Sequence, residues 1–262
     1  MEDHLILQMP EYRPVYRDDE TYGFKKTRER EALKRVLTEA AAEYCMYCYR
    51  RLIVSGNYYG NLEHAIEKNN SQLLEECIPN IGIACSNCNE SLKRVGEKKR
   101  RLSADAIEEF QKEADCSKVT YKQCRIPCRH LKRLQRKYTE KPDGHIILQP
   151  MGVKGAASGE SLRIQYDILA GEFQPYSNAA YTDEEKDFIW DHIQQFQLND
   201  SEDSREQLLY YIKMIIDTGG KLPEYEYNNY IVKLFAEKIE EYSIEKRVRI
   251  CKVLNVALNV AV

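Results

Sequence analysis

Two pairs of cysteines constrain this chain more than any other feature of its sequence. Cys45 and Cys48 form one CxxC pair, and Cys85 and Cys88 form a second pair further along the chain. Two such pairs supply four thiolates for one tetrahedral zinc ion, and a site with four thiolates is coordinatively closed. We therefore predict a structural zinc that joins two segments too short to bury a core of their own. The alternative is four unrelated buried thiols.

The composition is that of a globular protein with one large domain or two small ones. Of the 262 residues, 43% are hydrophobic and 31% are charged, and nine are cysteines. No run is long and apolar enough to predict a membrane span, and the acidic N-terminus lacks the pattern of a signal peptide. We therefore expect a cytoplasmic protein, in which paired cysteines bind metal more often than they form disulfides.

The net charge of -3 conceals a basic block directly after the second cysteine pair. Residues 91–138 contain 15 Lys and Arg against 6 Asp and Glu. Such an excess favours a polyanionic ligand, so we predict DNA as a partner. A solvated helix face rich in Lys and Arg is the alternative. The residues predicted to contact nucleic acid are Lys93, Arg94, Arg129, Lys132, Arg133 and Arg136.

The segment between the cysteine pairs carries an acidic residue beside a histidine, Glu63-His64. Phosphodiester hydrolysis needs an activated water and a Lewis acid on the phosphate. Neutral His64 can take a proton from water, and Glu63 can offer an anionic oxygen to Mg²⁺ or Mn²⁺. Asn89 can add a neutral oxygen to the same ion. Adjacent strand residues point to opposite faces, so Glu63 and His64 need an irregular turn or bulge to cooperate.

Four pieces of sequence follow one another between Cys45 and Lys93. They are CMYC, LEH followed by Lys68, PN at 79–80, and IACSNCNESLK. In this order they resemble an HNH endonuclease of the zinc-stapled ββα-metal type, whereas an acid–histidine dipeptide alone is typical of a protein surface. The resemblance implies that Asn80 fixes the loop around His64. It departs from the motif at Asn89, where the third letter would be His, and at Glu67, where Pro is frequent.

The region after this core resembles, more loosely, the HNH subunit of Septu-like bacterial anti-phage defence systems. In that subgroup the nuclease works beside an ATPase, so the resemblance implies an ATPase partner. We expect the acidic, Tyr-rich C-terminal helices to bind it. Self-association into a homo-oligomer is the alternative.

Apolar periodicity predicts an α+β fold with flanking helices and a helical C-terminal region. The resemblance implies that its centre is a small ββα-metal core stapled by the four-cysteine zinc. Before the core we predict an irregular arm at 1–24 and a helix, and after it two strands, 145–150 and 162–168, around a mobile loop. Thr182 and Glu185 predict a capping box, and Gly219-Gly220 a helix end. The predicted helices cover 25–44, 88–95, 183–198, 204–217, a stretch after Pro223, and 244–258. The predicted domains are 1–39, 40–145 with the nuclease core and basic extension, and 146–262.

Three further cysteines and a histidine come close together in the basic block. Cys116, Cys124, Cys128 and His130 could form a second zinc site, but their spacing is not that of two CxxC pairs, and buried or incidental thiols are the alternative. Cys77, Cys251 and His192 fit better as core residues.

Together these features predict a metal-dependent HNH endonuclease that hydrolyses DNA, as the nuclease effector of a bacterial defence complex. A catalytically inactive zinc-stapled protein that binds nucleic acid or serves as a scaffold is the alternative.

Overall fold

A computed structural model describes residues 6–113, 124–200, 202–223 and 226–260. Within these ranges the fold mixes α-helices with small antiparallel sheets, as the sequence predicts. The strands are β1 (Ile6–Gln8), β2 (Ile53–Val54), β3 (Asn57–Tyr58), β4 (Gly60–His64), β5 (Ile81–Cys85), β6 (Ile164–Asp167) and β7 (Glu172–Pro175). The helices are α1 (Thr27–Ala40), α2 (Ala104–Glu113), α3 (Arg129–Thr139), α4 (Asp183–Gln195), α5 (Asp203–Asp217), α6 (Tyr230–Glu240) and α7 (Ile244–Val260).

Helix α1 delivers the chain to the first cysteine pair. Leu33, Val36 and Leu37 recur at helical spacing and are buried, which fixes the face that α1 turns towards β4 and β5. The helix ends because Ala42 and Glu43 adopt φ values of +50° and +71°, in the left-handed region. The chain then enters a turn in which the carbonyl of Cys45 accepts the N–H of Tyr49.

Strands β4 and β5 form the hairpin at the centre of the fold. They pair antiparallel from Gly60 opposite Cys85 to His64 opposite Ile81. Gly82 lets the buried segment 146–149 lie close to β5, since a Cβ at this position would be 2.9 Å from the backbone oxygen of Gln149. A π-helical turn, Asn87–Leu92, follows β5 where the sequence predicts a short helix.

The three-stranded sheet β1-β6-β7 and the segment 145–150 correct two expectations. The predicted irregular arm contains β1, which pairs with β6, and β6 pairs in turn with β7. Residues 145–150 form no strand: the backbone N–H of Ile147 donates to Nδ1 of His192, at 3.0 Å, instead of to a neighbouring strand. A short apolar run predicts burial, but it does not reveal which partner satisfies the backbone.

The C-terminal helices pack on the cysteine-rich core. The capping box of Thr182 and Glu185 is present at the start of α4, and α5 ends before Gly219-Gly220 as predicted. Phe196 stacks on Tyr47 with ring centroids 4.6 Å apart, and the N–H of Tyr230 donates to the carbonyl of Tyr49. Residues from all three predicted segments therefore share one hydrophobic core.

Candidate active site and metal centre

The four predicted zinc ligands come together. The sulfurs of Cys45, Cys48, Cys85 and Cys88 all lie within 4.8 Å of one another, and the Cys48 and Cys85 sulfurs are 3.7 Å apart. A tetrahedron with Zn–S bonds of about 2.3 Å has edges of about 3.8 Å. The cluster therefore fits one zinc ion. Among the described residues it is the one group of Cys, His, Asp and Glu side chains close enough to hold a metal.

The protonation of the thiols also suits a metal site. Hydrogen bonds from the thiols of Cys45, Cys48 and Cys88 hold the pKa of the Cys85 thiol well below its usual range. The same contacts raise the pKa values of Cys48 and Cys88. Without metal the cluster thus keeps some thiols protonated. Zinc would convert them to thiolates, so its binding would release protons and strengthen as the pH rises.

Glu63 and His64 point to opposite faces of the central hairpin. Strand β4 pairs regularly with β5 through His64, with no bulge between the two residues. In a regular strand adjacent side chains alternate between faces. Glu63 accordingly contacts Tyr47 and Lys93, whereas the His64 ring contacts Phe24. The irregular turn that would bring these two side chains to one centre is not present.

The carboxylate of Glu63 is fully engaged inside the protein. One oxygen accepts a hydrogen bond of 2.6 Å from the Tyr47 hydroxyl, and the other forms an ion pair with the Lys93 ammonium. Glu63 is 2% exposed and Lys93 is 4% exposed. Lys93 also donates to the carbonyl oxygens of His64 and, at 2.8 Å, Ala65. The ammonium therefore fills a cage of three oxygens that would otherwise suit a cation.

A catalytic Mg²⁺ or Mn²⁺ does not fit this arrangement. A divalent ion bound by Glu63 would have to displace the Lys93 ammonium from the oxygens it occupies. The second predicted ligand, Asn89, is half-buried in the helical turn after β5 and has no hydrogen bond to Glu63. The predicted contact of Lys93 with nucleic acid also conflicts with its position, because its charge is buried against Glu63.

His64 has the properties of a neutral proton acceptor. Its Nε2 lies 3.1 Å from the carbonyl oxygen of Glu75, and since a carbonyl can only accept, Nε2 carries the proton. Burial is the main reason that its pKa is lowered to about 4, so the ring is neutral at pH 7. Nδ1 has no partner among the described residues, yet it is not one of their fully buried unpaired atoms. The residue as a whole is 8% exposed, so Nδ1 is a hydrogen-bond acceptor without a partner in the described part of the chain, at the edge of the buried core.

Asn80 holds the loop that follows His64. Its side-chain oxygen accepts from the N–H of Ile66 and its side-chain nitrogen donates to the carbonyl of Ile66, both at 2.9 Å. Its own carbonyl accepts from the N–H of Ala65. Asn80 is completely buried, so these bonds are shielded from water. Asn80 therefore fixes the backbone of residues 65 and 66, directly after His64.

A second buried ionic group supports the same loop, and the sequence did not indicate it. Arg100 is 0% exposed and binds Glu67 at 3.1 Å and the Tyr138 hydroxyl at 2.7 Å. Its guanidinium also donates to the carbonyl oxygens of Lys93 and Val95. Glu67, the departure from the HNH pattern, therefore connects the loop after His64 to α3. No local pattern marks this group, because its members are distant in sequence.

The predicted nucleic-acid contacts differ in their surroundings. Arg133 is exposed but forms an ion pair with Glu109 of α2 at 2.8 Å, which uses part of its charge. Glu109 also binds Lys137. The exposed predicted contacts that have no ion pair among the described residues are Arg94, Arg129, Lys132 and Arg136.

The proposed second zinc site is only partly covered by the structure. Cys116 lies outside the described residues. Cys128 caps α3, its sulfur accepting the N–H of Leu131 at 3.4 Å, and Cys124 and His130 do not form a metal-binding group with it. Cys77 and Cys251 are buried core thiols, and His192 is a buried core histidine, as predicted.

Comparison with known proteins gives no match: no family model, no curated protein and no solved structure is similar to this chain. Within the described residues, no helix combines the length and the apolar character that crossing a membrane requires.

Proposed function

We propose that this chain is an HNH-type endonuclease that hydrolyses phosphodiester bonds of DNA at His64. The observation that carries the proposal is the His64 ring, anchored through Nε2 to the carbonyl of Glu75 and without a hydrogen-bond partner at Nδ1 among the described residues. A histidine fixed in this tautomer is suited to take a proton from water. The order of the motif pieces from Cys45 to Lys93 supports the same function.

In the proposed reaction, Nδ1 of His64 takes a proton from a water molecule while the water oxygen attacks phosphorus. One P–O ester bond breaks, and the leaving oxygen becomes a hydroxyl by taking a proton from solvent. A bound phosphate would raise the pKa of His64, because a nearby negative charge favours the protonated ring. The ring would then be a stronger base in the complex than in the free protein.

Positive charge beside His64 would stabilise the reacting phosphate. The exposed side chains of Arg30 and Lys68 lie over the ring of Phe24, and this ring contacts His64. Cations aimed at developing negative charge are a frequent source of transition-state stabilisation. The zinc cluster has a different role, because four thiolates leave no position for substrate. It would hold the β4–β5 hairpin in place.

One observation favours a second candidate function, a zinc-stapled protein that binds nucleic acid or acts as a scaffold without catalysis. Glu63, the residue expected to bind the catalytic ion, is already neutralised by Lys93. A nuclease that depends on a divalent ion at Glu63 would be inactive in this arrangement.

The defence complex and its ATPase partner belong to the same proposal. Helix α7 buries Cys251, Leu254 and Leu258 on one face, yet Val253 and Val256 are each 63% exposed on another. A surface that binds another protein exposes apolar residues side by side, and Val253 and Val256 are neighbours three positions apart on α7. A homo-oligomer formed through α7 is the alternative.

Nicking of supercoiled plasmid by the zinc-loaded chain tests the proposal. The reaction is run without added divalent ion, with Mg²⁺ and with Mn²⁺, each with and without the ATPase. A gel-shift assay measures DNA binding in parallel. Conversion to open circles in any of these conditions supports the nuclease. Binding without conversion in all of them contradicts it and supports the second candidate.

A further inference from the structure

The surface at His64 combines an aromatic ring with unpaired positive charge. The ring of Phe24 meets the His64 ring edge-on, with centroids 4.6 Å apart. The guanidinium carbon of Arg30 lies 5.0 Å from the Phe24 centroid, and Nζ of Lys68 lies 4.9 Å from it. Phe24 is partly exposed, and both cations are exposed.

Hydrogen bonds to the backbone hold Phe24 in position. Glu76 accepts hydrogen bonds of 2.9 Å from the backbone N–H groups of Phe24 and Lys25. Lys25 in turn forms an ion pair of 2.7 Å with Glu75, the residue whose carbonyl binds His64. The Lys25 ammonium offsets the charge of the Glu75 carboxylate, and the two backbone N–H groups hold the carboxylate of Glu76 behind the ring.

Arg30 and Lys68 form no ion pair within the described residues, and the charge of Lys68 acts on Glu75 only at longer range. Their positive charge is therefore available to phosphate groups.

We propose that Phe24, Arg30 and Lys68 form the substrate contact at His64, in which Phe24 stacks on an unpaired nucleobase while Arg30 and Lys68 bind the adjoining phosphates. Aromatic rings interleaved with cations bind single-stranded nucleic acid without sequence readout, because every base has a π face. A base on Phe24 takes the place of one of the two cations over the ring, and that cation is then free to pair with phosphate. The inference rests on the proposed function and names its preferred substrate, a single-stranded segment.

Fluorescence anisotropy of a labelled oligothymidylate on the zinc-loaded full chain tests this contact without requiring cleavage. Phe24→Leu keeps apolar bulk against His64 but removes the π face, and Phe24→Trp keeps both. We expect Phe24→Leu to bind about 5- to 150-fold more weakly, and Phe24→Trp to bind like the wild type. Tyr210→Ala, which removes an exposed aromatic ring from α5, is the matched control and should not change binding.

An abasic oligonucleotide and a salt series complete the test. The wild type should bind the abasic strand as weakly as Phe24→Leu binds oligothymidylate. Phe24→Leu should bind the abasic strand and oligothymidylate equally. In the double variant Arg30→Gln/Lys68→Gln, the slope of log Kd against log salt concentration should be smaller than in the wild type by about 0.7 for each phosphate contact removed. The matched charge control is Lys252→Gln, on an exposed position of α7.

Three results would overturn the inference: equal binding by wild type and Phe24→Leu, equal binding of wild type to both strands, or tighter binding by Phe24→Leu. The last would identify Phe24 as a cover over His64. These results are separable from failure of the nuclease. Stacking on Phe24 without plasmid nicking contradicts catalysis alone, and nicking with unchanged binding by Phe24→Leu contradicts this contact alone.

Discussion

The ammonium of Lys93 lies against the carboxylate of Glu63 inside the protein, beside the strand that carries His64. The N–H of Lys93 donates to the carbonyl of Cys88, so the ion pair links the second cysteine pair to β4. Removing one partner of a buried pair leaves the other charge without compensation, which typically costs about 3–5 kcal/mol. The pair is therefore both a structural connection and a barrier to a divalent ion at Glu63.

Lys93→Met removes the charge and keeps most of the length of the side chain. We expect the free energy of unfolding to fall by about 3–5 kcal/mol. We also expect Mn²⁺ to raise the thermal midpoint of this variant but not that of the wild type, because the vacated oxygens can then bind the ion. Calorimetry with and without Mn²⁺ measures both effects. Lys99→Met, at a lysine with a 74% exposed side chain, is the control, and a Lys93→Met midpoint equal to that of the wild type would refute the role of the pair.

Cys85→Ser should remove the zinc and unfold the region around the β4–β5 hairpin. The reason is that three remaining ligands cannot close a tetrahedral site. Metal analysis of the purified proteins is expected to find one equivalent of zinc in the wild type and none in Cys85→Ser. Cys251→Ser changes a buried thiol outside the cluster and should keep the zinc. A metal-free wild type that is fully folded would disprove the structural zinc.

Each cysteine pair was predictable as half of a metal site because its spacing is local. Two residues between paired cysteines bring both sulfurs to one ion, whatever the rest of the chain does. The capping box at Thr182 and the helix end at Gly219-Gly220 were predictable for the same reason. Each depends on residues within one or two turns of one another.

The missed features depend on residues that are distant in sequence. Strand β1 pairs with β6, which lies far along the sequence. It has only three residues, which is too few for the alternation that predicts a strand. Lys93 looked like a phosphate contact because it begins a basic block, yet its surroundings come from β4. The group of Glu67, Arg100 and Tyr138 assembles from three separate segments. From sequence alone a charged residue is predicted to be exposed, and this prediction fails when the fold brings a buried partner of opposite charge to it.

Acid should destabilise the protein through His192. Burial lowers its pKa to about 3, and its Nδ1 accepts the N–H of Ile147, so the folded state keeps the ring neutral. The unfolded chain protonates it near pH 6.5. Between about pH 6.5 and pH 3 the unfolded state binds more protons at this histidine than the folded state does. The free energy of unfolding therefore falls by up to about 1.4 kcal/mol for each unit by which the pH is lowered.

His192→Asn isolates this contribution, because the amide oxygen can accept the same N–H without titrating. We expect the variant to be less stable than the wild type at pH 7 and to lose less stability on going to pH 5. Urea unfolding at the two pH values measures the difference between the slopes. Parallel losses in both proteins would show that His192 does not titrate in this window.

The most direct test of the nuclease centre is the rate of plasmid nicking by His64→Ala, in whichever condition the wild type is active. Loss of a general base typically slows a reaction by about 10²–10⁴-fold. We expect a loss of this size with unchanged zinc content, and we expect His145→Ala, at a half-buried histidine paired with Asp191, to nick at the wild-type rate. Nicking by His64→Ala at the wild-type rate, with both variants purified identically, would contradict the assignment of catalysis to His64.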